Sequence, residues 1–202
     1  MAVITVSRQF GAGGLTLGKK LAADIDYTFY DEEIIKLVAE KAKVSPDWVS
    51  SIEKEAGGRL HKLLKTLVPK STVDRILDDS RGYIDEEIYV DLLFQIISKV
   101  AEADRAIVLG RGGQYILKNH PDVFHVLLVA DMEHRIEFVE TKYQLTHAQA
   151  VQTVNSEDKK RTNLYRKFNK TDYDRPDHYH LTLNMSKVGF DKASDLVQTL
   201  IA

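Results

Sequence analysis

Residues 2–6, AVITV, are a short β-branched run of the kind that forms a buried strand. They lead directly into SRQFGAGGLTLGKK at 7–20, and from Leu17 onward the apolar residues Leu17, Leu21, Ala22 and Ile25 fall at helical spacing. This succession of strand, glycine turn and helix constrains the chain more than any other stretch. In an open α/β sheet, ligands bind beyond the carboxyl ends of the strands. A glycine turn at that edge aims several backbone N–H groups at one phosphate, and the N-terminus of the following helix adds partial positive charge.

Two alignments of the turn compete. The pattern G-x-x-x-x-G-K-[ST] nearly fits Gly13 to Lys20, GGLTLGKK, but fails at its last residue. It also puts Gly18 and Lys19 about a turn inside the expected helix, where the helix already uses the backbone amides. The other alignment places Gly11, Ala12 and Gly13 in the turn and Gly14 where a phosphate loop usually has its lysine. That register assigns phosphate binding to Gly11, Ala12, Gly13, Gly14, Leu15 and Thr16. The lysine's charge is then missing, and Arg8 beside the turn offers a fork of donors that partly replaces it. Thr16 carries the hydroxyl best placed to hold Mg2+, with Ser7 as the alternative.

Beyond the turn, short apolar strands alternate with amphipathic helices. YTFY at 27–30, AIVLG at 106–110, VFHVLLVA at 123–130 and YHLTLN at 179–184 read as strands. Helical patterns cover 31–44, 85–104, 132–143, 147–168 and 189–201, and Ser45 followed by Pro46 starts a further helix. Residues 56–82, with Gly57, Gly58, Pro69 and the basic RLHKLLK, read as a helical hairpin or an insertion. The alternation predicts an α/β protein with a parallel sheet of about five strands. The two long apolar strands predict that both faces of the sheet are covered.

At 202 residues the chain is long enough for one domain with a substantial core. It has no cysteine, which excludes disulfides and thiolate metal sites and fits a cytoplasmic location. A net charge of −2 gives no global signal for nucleic acid or a membrane surface. No apolar run approaches the roughly 20 residues of a membrane span, and no secretory signal pattern opens the chain. The histidines show no pair at metal-ligand spacing.

The segment ITVSRQFGAGGLTLGKKLA resembles the opening of the cytidylate kinase-like family, a branch related to P-loop nucleoside monophosphate kinases. Ser7, Arg8, Gln9, Phe10, Gly11, Ala12, Gly13 and Gly14 match that opening residue by residue. FYD at 29–31, LGRGG at 109–113, DKKR at 158–161 and YHLTLNMSKVG at 179–189 continue the resemblance, which does not reach 45–85. It implies a three-layer P-loop NTPase fold over 1–202, with a helical acceptor-side insertion at about 45–85 and a lid at about 157–175. It also implies ATP and Mg2+ as cofactors, and aligns Thr16 with the threonine of the kinase GKGT motif.

Arg111 lies between glycines at the end of the AIVLG strand, again at the ligand edge. In nucleoside monophosphate kinases a DGRDMG segment occupies this place and its arginine contacts the acceptor phosphate. Gly110 and Arg111 match it, while Leu109 and Gly112 replace the flanking aspartates. The stretch EDKKRTNLYRKFNK at 157–170 carries six basic residues. Related kinases bring lid arginines over the transferring phosphate near here, which points to Arg161 and Arg166, with Lys160 behind them. Asp31 matches the aspartate of LDTG, a place near the acceptor or Mg2+; an N-cap for the following helix is the competing role. The acceptor-holding arginine of that segment is absent, its position being Leu37.

These features predict a Mg2+-dependent phosphotransferase acting on a nucleotide or other small acceptor. Arg8, Arg161 and Arg166 would be catalytic, and Asp31 and Arg111 would hold the acceptor. Two other readings stand beside it: a nucleotide-binding protein without efficient turnover, and a phosphate-binding interaction protein working through the basic helix.

Overall fold

The computed structural model describes residues 2–31, 34, 86–168 and 172–202, without the side chains of 86–89, 160, 163 and 167. Apart from Asp31 and Ile34, the expected helix at 31–44, the Ser45–Pro46 helix start and the insertion at 45–85 lie outside the described residues. The chain divides into two compact units, Met1–Tyr30 with Val100–Ala202, and Asp31–Lys99.

Five strands form the sheet of the first unit: β1 (Val3–Arg8), β2 (Thr28–Tyr30), β3 (Ala106–Leu109), β4 (Val123–Val129) and β5 (Leu181–Asn184). Their order is β2-β3-β1-β4-β5 and every pairing is parallel. β1 is therefore central, and its carboxyl end lies where the chain passes from one half of the sheet to the other, the usual ligand crevice of such sheets.

The helices are α1 (Gly14–Ile25), α2 (Glu86–Glu102), α3 (Gly113–Ile116), α4 (Met132–Tyr143), α5 (His147–Lys167) and α6 (Phe190–Ile201), with a 3-10 turn at Pro176–His178. α2 buries Leu92, Leu93, Ile96, Ile97, Val100 and Ala101. α5 starts with a capping box, Thr146 and Gln149 each bonding the other's backbone amide.

One sheet face is apolar. Ile4, Val6, Ile107, Leu109, Val126, Leu128 and Leu183 pack with Leu17, Leu21 and Ala22 of α1 and Ala193 and Val197 of α6. The alternation of β1 turns Thr5 and Ser7 to the opposite face, where both are 1% exposed. There Thr5 Oγ1 and His125 Nδ1 are 2.7 Å apart, and the α-carbon of Gly113, at the start of α3, packs against the Thr5 side chain.

Two boundaries differ from the expectation instructively. β1 continues past Val6 through Ser7 and Arg8, because their backbones stay paired with Leu127 and Leu128 of β4. α1 begins at Gly14, ahead of Leu17, because its first residues include a glycine that hydrophobic periodicity does not register.

Candidate functional site

The turn between β1 and α1 is tightly held. Gln9 donates its amide to Leu128 O at 3.0 Å and accepts from the Ala130 amide through Oε1 at 3.1 Å. The Ala12 amide donates to Gln9 O at 3.1 Å. The ladder of α1 opens with the Leu17 amide donating to Gly13 O at 2.9 Å, so the amides of Gly14, Leu15 and Thr16 precede it. They carry the positive end of the helix dipole beyond the carboxyl end of the central strand. Gly13 has φ 78, and a Cβ there would stand 2.5 Å from the Phe190 ring, so this turn accepts only glycine.

Arg8 accounts for the glycine at position 14. Its side chain runs along the turn, and a Cβ on Gly14 would stand 2.8 Å from Arg8 Cγ, 3.2 Å from Cβ and 3.3 Å from Cδ. Gly14 has no left-handed φ, so the arginine stem alone excludes a side chain. Farther out, the Arg8 guanidinium lies against the α-carbon of Gly110, where a Cβ would overlap Nη1. Arg8 thus spans from the start of α1 to the end of β3 and passes the point where a lysine would leave the loop.

Gly18 and Lys19 lie in the second turn of α1. Gly18 is buried, and a Cβ there would meet the Phe29 ring of β2. Packing against the sheet accounts for this glycine without a phosphate. Lys19 is exposed, and Lys20 pairs with Asp24 at 3.3 Å and Asp191 at 3.1 Å.

Beside Arg8, Gly110, Arg111 and Gly112 have φ of 71, 55 and 75 in succession. A left-handed arginine between two left-handed glycines is backbone strain of the kind that collects at functional sites. The buried Arg111 Nε has no hydrogen-bond partner among the described residues. The same holds for Ser7 Oγ at the end of β1 and for Oε1 of Gln114, which is 2% exposed. Gln114 Nε2 donates to Tyr179 Oη at 3.3 Å, and Tyr179 Oη donates to Tyr173 O at 2.8 Å. Burial first, and the neighbouring Tyr165 phenol second, push the Tyr115 and Tyr179 phenols upward from their ordinary range. Both therefore stay protonated and act as donors.

Arg161, one of the two expected lid arginines, makes a two-pronged pair with Asp174, both contacts at 2.7 Å. Its guanidinium lies over the rings of Tyr165 and Tyr173, 5.7 and 5.2 Å from their centroids. Arg166 is exposed on the same helix, and the side chain of Lys160 lies outside the described residues. Asp31 follows β2 and falls in the second unit; its carbonyl accepts from the Ile34 amide at 3.3 Å. The structure thus brings Arg8, the 11–16 turn and Gly110 with Arg111 together, and joins Arg161 to an acidic partner.

Three polar residues at the site carry little sequence signal. Arg135 and Asp158 form an ion pair on the turn itself, at 2.6 Å. Gln114 follows directly on the glycines of LGRGG. Asp158 opens the DKKR motif, which is the only hint the sequence offers for the pair.

A five-stranded parallel sheet with a glycine turn between its central strand and first helix is the P-loop kinase fold. The chain is similar in structure to an uncharacterized protein from Eubacterium ventriosum, at 20% identity and a TM-score of 0.69, over 100% of this chain and 98% of that one. It is also similar to a shikimate kinase from Bacteroides thetaiotaomicron, at 12% identity and a TM-score of 0.51, over 99% of this chain and 98% of that one. At these identities the likeness is one of fold. No curated protein matches the sequence. Residues 3–187 match the cytidylate kinase-like family, and the chain belongs to that family.

Proposed function

We propose that the chain transfers the γ-phosphoryl group of ATP to a small acceptor, a nucleoside monophosphate such as CMP. The observation that carries this reading is Arg8, which lies in the room a loop lysine would occupy and reaches Gly110 beside Arg111. The first-turn amides of α1 suit a chain of phosphates. The Thr16 hydroxyl, on the third residue of that helix, suits a hard cation that takes oxygen ligands.

In this reading the amides of 11 and 13–16 hold the nucleotide phosphates, that of Ala12 being engaged by Gln9 O, and Arg8 places its guanidinium on the transferring group. Arg111 holds the acceptor's phosphate and Asp31 positions the acceptor. Arg161 and Arg166 add positive charge from the lid. Thr16 would hold Mg2+, which when bound supplies further neutralisation of phosphate charge. The bond from the γ-phosphorus to the β–γ bridging oxygen breaks, one to an acceptor oxygen forms, and ADP leaves. Phosphoryl transfer needs mainly positioning and charge neutralisation, so a site rich in amides and arginines and without an ionised tyrosine suits it.

The test is ADP formation from Mg·ATP against a panel of CMP, dCMP, UMP and AMP, beside calorimetric titration with ATP and ADP. Turnover with one acceptor supports the reading, and no nucleotide binding at all overturns it. Binding without turnover favours the second reading, a nucleotide-binding protein without efficient transfer. The two-pronged pairing of Arg161 with Asp174 favours that alternative, because it engages a charge the transition state would use.

A further inference from the structure

We infer that Arg135 of α4 and Asp158 of α5 are a positioning pair for the glycine turn, an inference that rests on the reading of that turn as a phosphate site. Arg135 Nη1 is 2.6 Å from Asp158 Oδ2. The pair also grips the residue before the first loop glycine from both sides. The Phe10 amide donates to Asp158 Oδ1 at 3.1 Å, and Arg135 Nη1 donates to Phe10 O at 3.2 Å. Both peptide groups flanking Phe10 are thereby fixed by one ion pair.

The next residue is fixed by contact. Gly11 has φ 84, and a Cβ there would stand 2.7 Å from Arg135 O and 2.9 Å from Arg135 Cβ. The Phe10 side chain packs on the apolar cluster of Ile136, Val139, Ala150 and Val154 between the two helices. That cluster joins α4 to α5 beside the ion pair. Each partner of the pair also gives one bond to the backbone of the turn, while Arg135 Nη2 donates to Met132 Sδ at 3.4 Å. Arg135 is buried, with a side chain 7% exposed, and Asp158 is partly covered at 28%.

The pairing also decides the sign of the field at the turn. A lone Asp158 carboxylate there would oppose a phosphate, and Arg135 neutralises it. The amides of 11 and 13–16 are then aimed by a neutral clamp, and α5, which also carries Arg161 one turn on, is mechanically joined to the turn. A positioning role of this kind acts on ligand affinity and rate, since small misplacements near a reacting phosphate are costly.

The experiment compares Asp158→Ala, Asp158→Asn and a packing control, Val154→Ala, which loosens the apolar cluster under Phe10 but removes no hydrogen bond of the clamp. Three quantities are measured: melting temperature, the Kd for Mg·ATP well below melting, and hydrogen exchange of the amides at 10–16. Asp158→Ala is expected to weaken ATP by about tenfold or more, as loss of a charge-assisted bond predicts, and to speed exchange at the turn. Asp158→Asn retains an oxygen for the Phe10 amide but turns an NH2 toward the Arg135 donor, and is expected to recover only part of that affinity. Val154→Ala is expected to lower the melting temperature at least as much as Asp158→Ala, with a much smaller change in Kd and in turn exchange. If Asp158→Ala and Val154→Ala lose stability alike, with unchanged Kd and equal exchange, the pair is structural and the inference is overturned. If the unaltered protein binds no ATP, the functional reading fails and exchange alone decides: faster exchange at 10–16 only in Asp158→Ala upholds the clamp, and equal exchange overturns it. Should Asp158→Ala not fold, Arg135→Met carries the same comparison, since it keeps the apolar stem and removes the Nη1 that donates to both Asp158 and Phe10 O.

Discussion

The relation between Arg8 and Gly14 can be tested by moving the charge. In the proposed reading Arg8→Ala removes a charged donor from the transferring phosphoryl group, a loss of roughly 2–4 kcal/mol, or about 30- to 1,000-fold in kcat. Gly14→Lys alone cannot add a useful charge, because its Cβ would stand 2.8 Å from Arg8 Cγ and 3.3 Å from Cδ, both tighter than ordinary contact. Displacing the arginine stem costs about 1–3 kcal/mol, as overpacking does. In an Arg8→Ala background those two atoms are gone. Only the Cβ contact at 3.2 Å remains, which a shift of a few tenths of an ångström relieves. Arg8→Ala/Gly14→Lys is therefore expected to recover at least about tenfold in kcat over Arg8→Ala, with a coupling between the sites of about 1–3 kcal/mol. The assay is ADP release under saturating Mg·ATP with the acceptor that the panel selects, with ATP affinity measured in parallel. Lys19→Ala serves as control and is expected to leave kcat unchanged, since Lys19 is exposed in the second turn of α1. Equal effects of Gly14→Lys in both backgrounds would refute the shared space. A silent Arg8→Ala together with an inactive Lys19→Ala would show that the phosphate register is the one from Gly13 to Lys20.

Three further outcomes are expected. Arg111→Gly and Arg111→Ala should weaken the acceptor alike, but the glycine variant should melt about 2–4 °C higher, because only glycine relieves the left-handed strain, worth about 1 kcal/mol; an alanine variant of equal stability contradicts this. Arg161→Ala should cut kcat at least about tenfold with little change in ATP affinity, whereas Asp174→Ala, which leaves the guanidinium in place, should retain more activity; equal losses would mark the pair as structural. Burial first, and the charge of His180 second, push His125 from its ordinary 6.5 down to about 4. The unfolded chain therefore takes up this proton before the folded one, so the stability contribution is full above about pH 6.5 and falls away as pH drops toward 4. The loss is about 3 kcal/mol, and urea titrations at pH 7, 5 and 4 should show a flatter profile in His125→Gln; an unchanged profile rules the assignment out.

What the sequence makes legible here is local. The β-branched run, the glycine turn and the 3.6-residue stripes are each written within a few neighbouring residues, so α4 falls at 132–143 as its pattern predicts. α3 spans four residues, too few for a period to register. The Arg135–Asp158 pair belongs to two helices, and nothing in either helix alone distinguishes Arg135 from a solvated arginine. Gly110 reads as part of a strand end, yet its lack of a side chain answers to Arg8 on a different strand. The same coupling bears on the loop itself. Read position by position, Gly14 is a motif residue that has been lost. Beside Arg8 in space it is a required glycine, since the arginine six positions earlier fills the room a lysine needs. In the proposed reading the missing charge and the added one are a single exchange made across two positions. A pattern that scores each position separately counts that exchange as one defect and one irrelevant arginine.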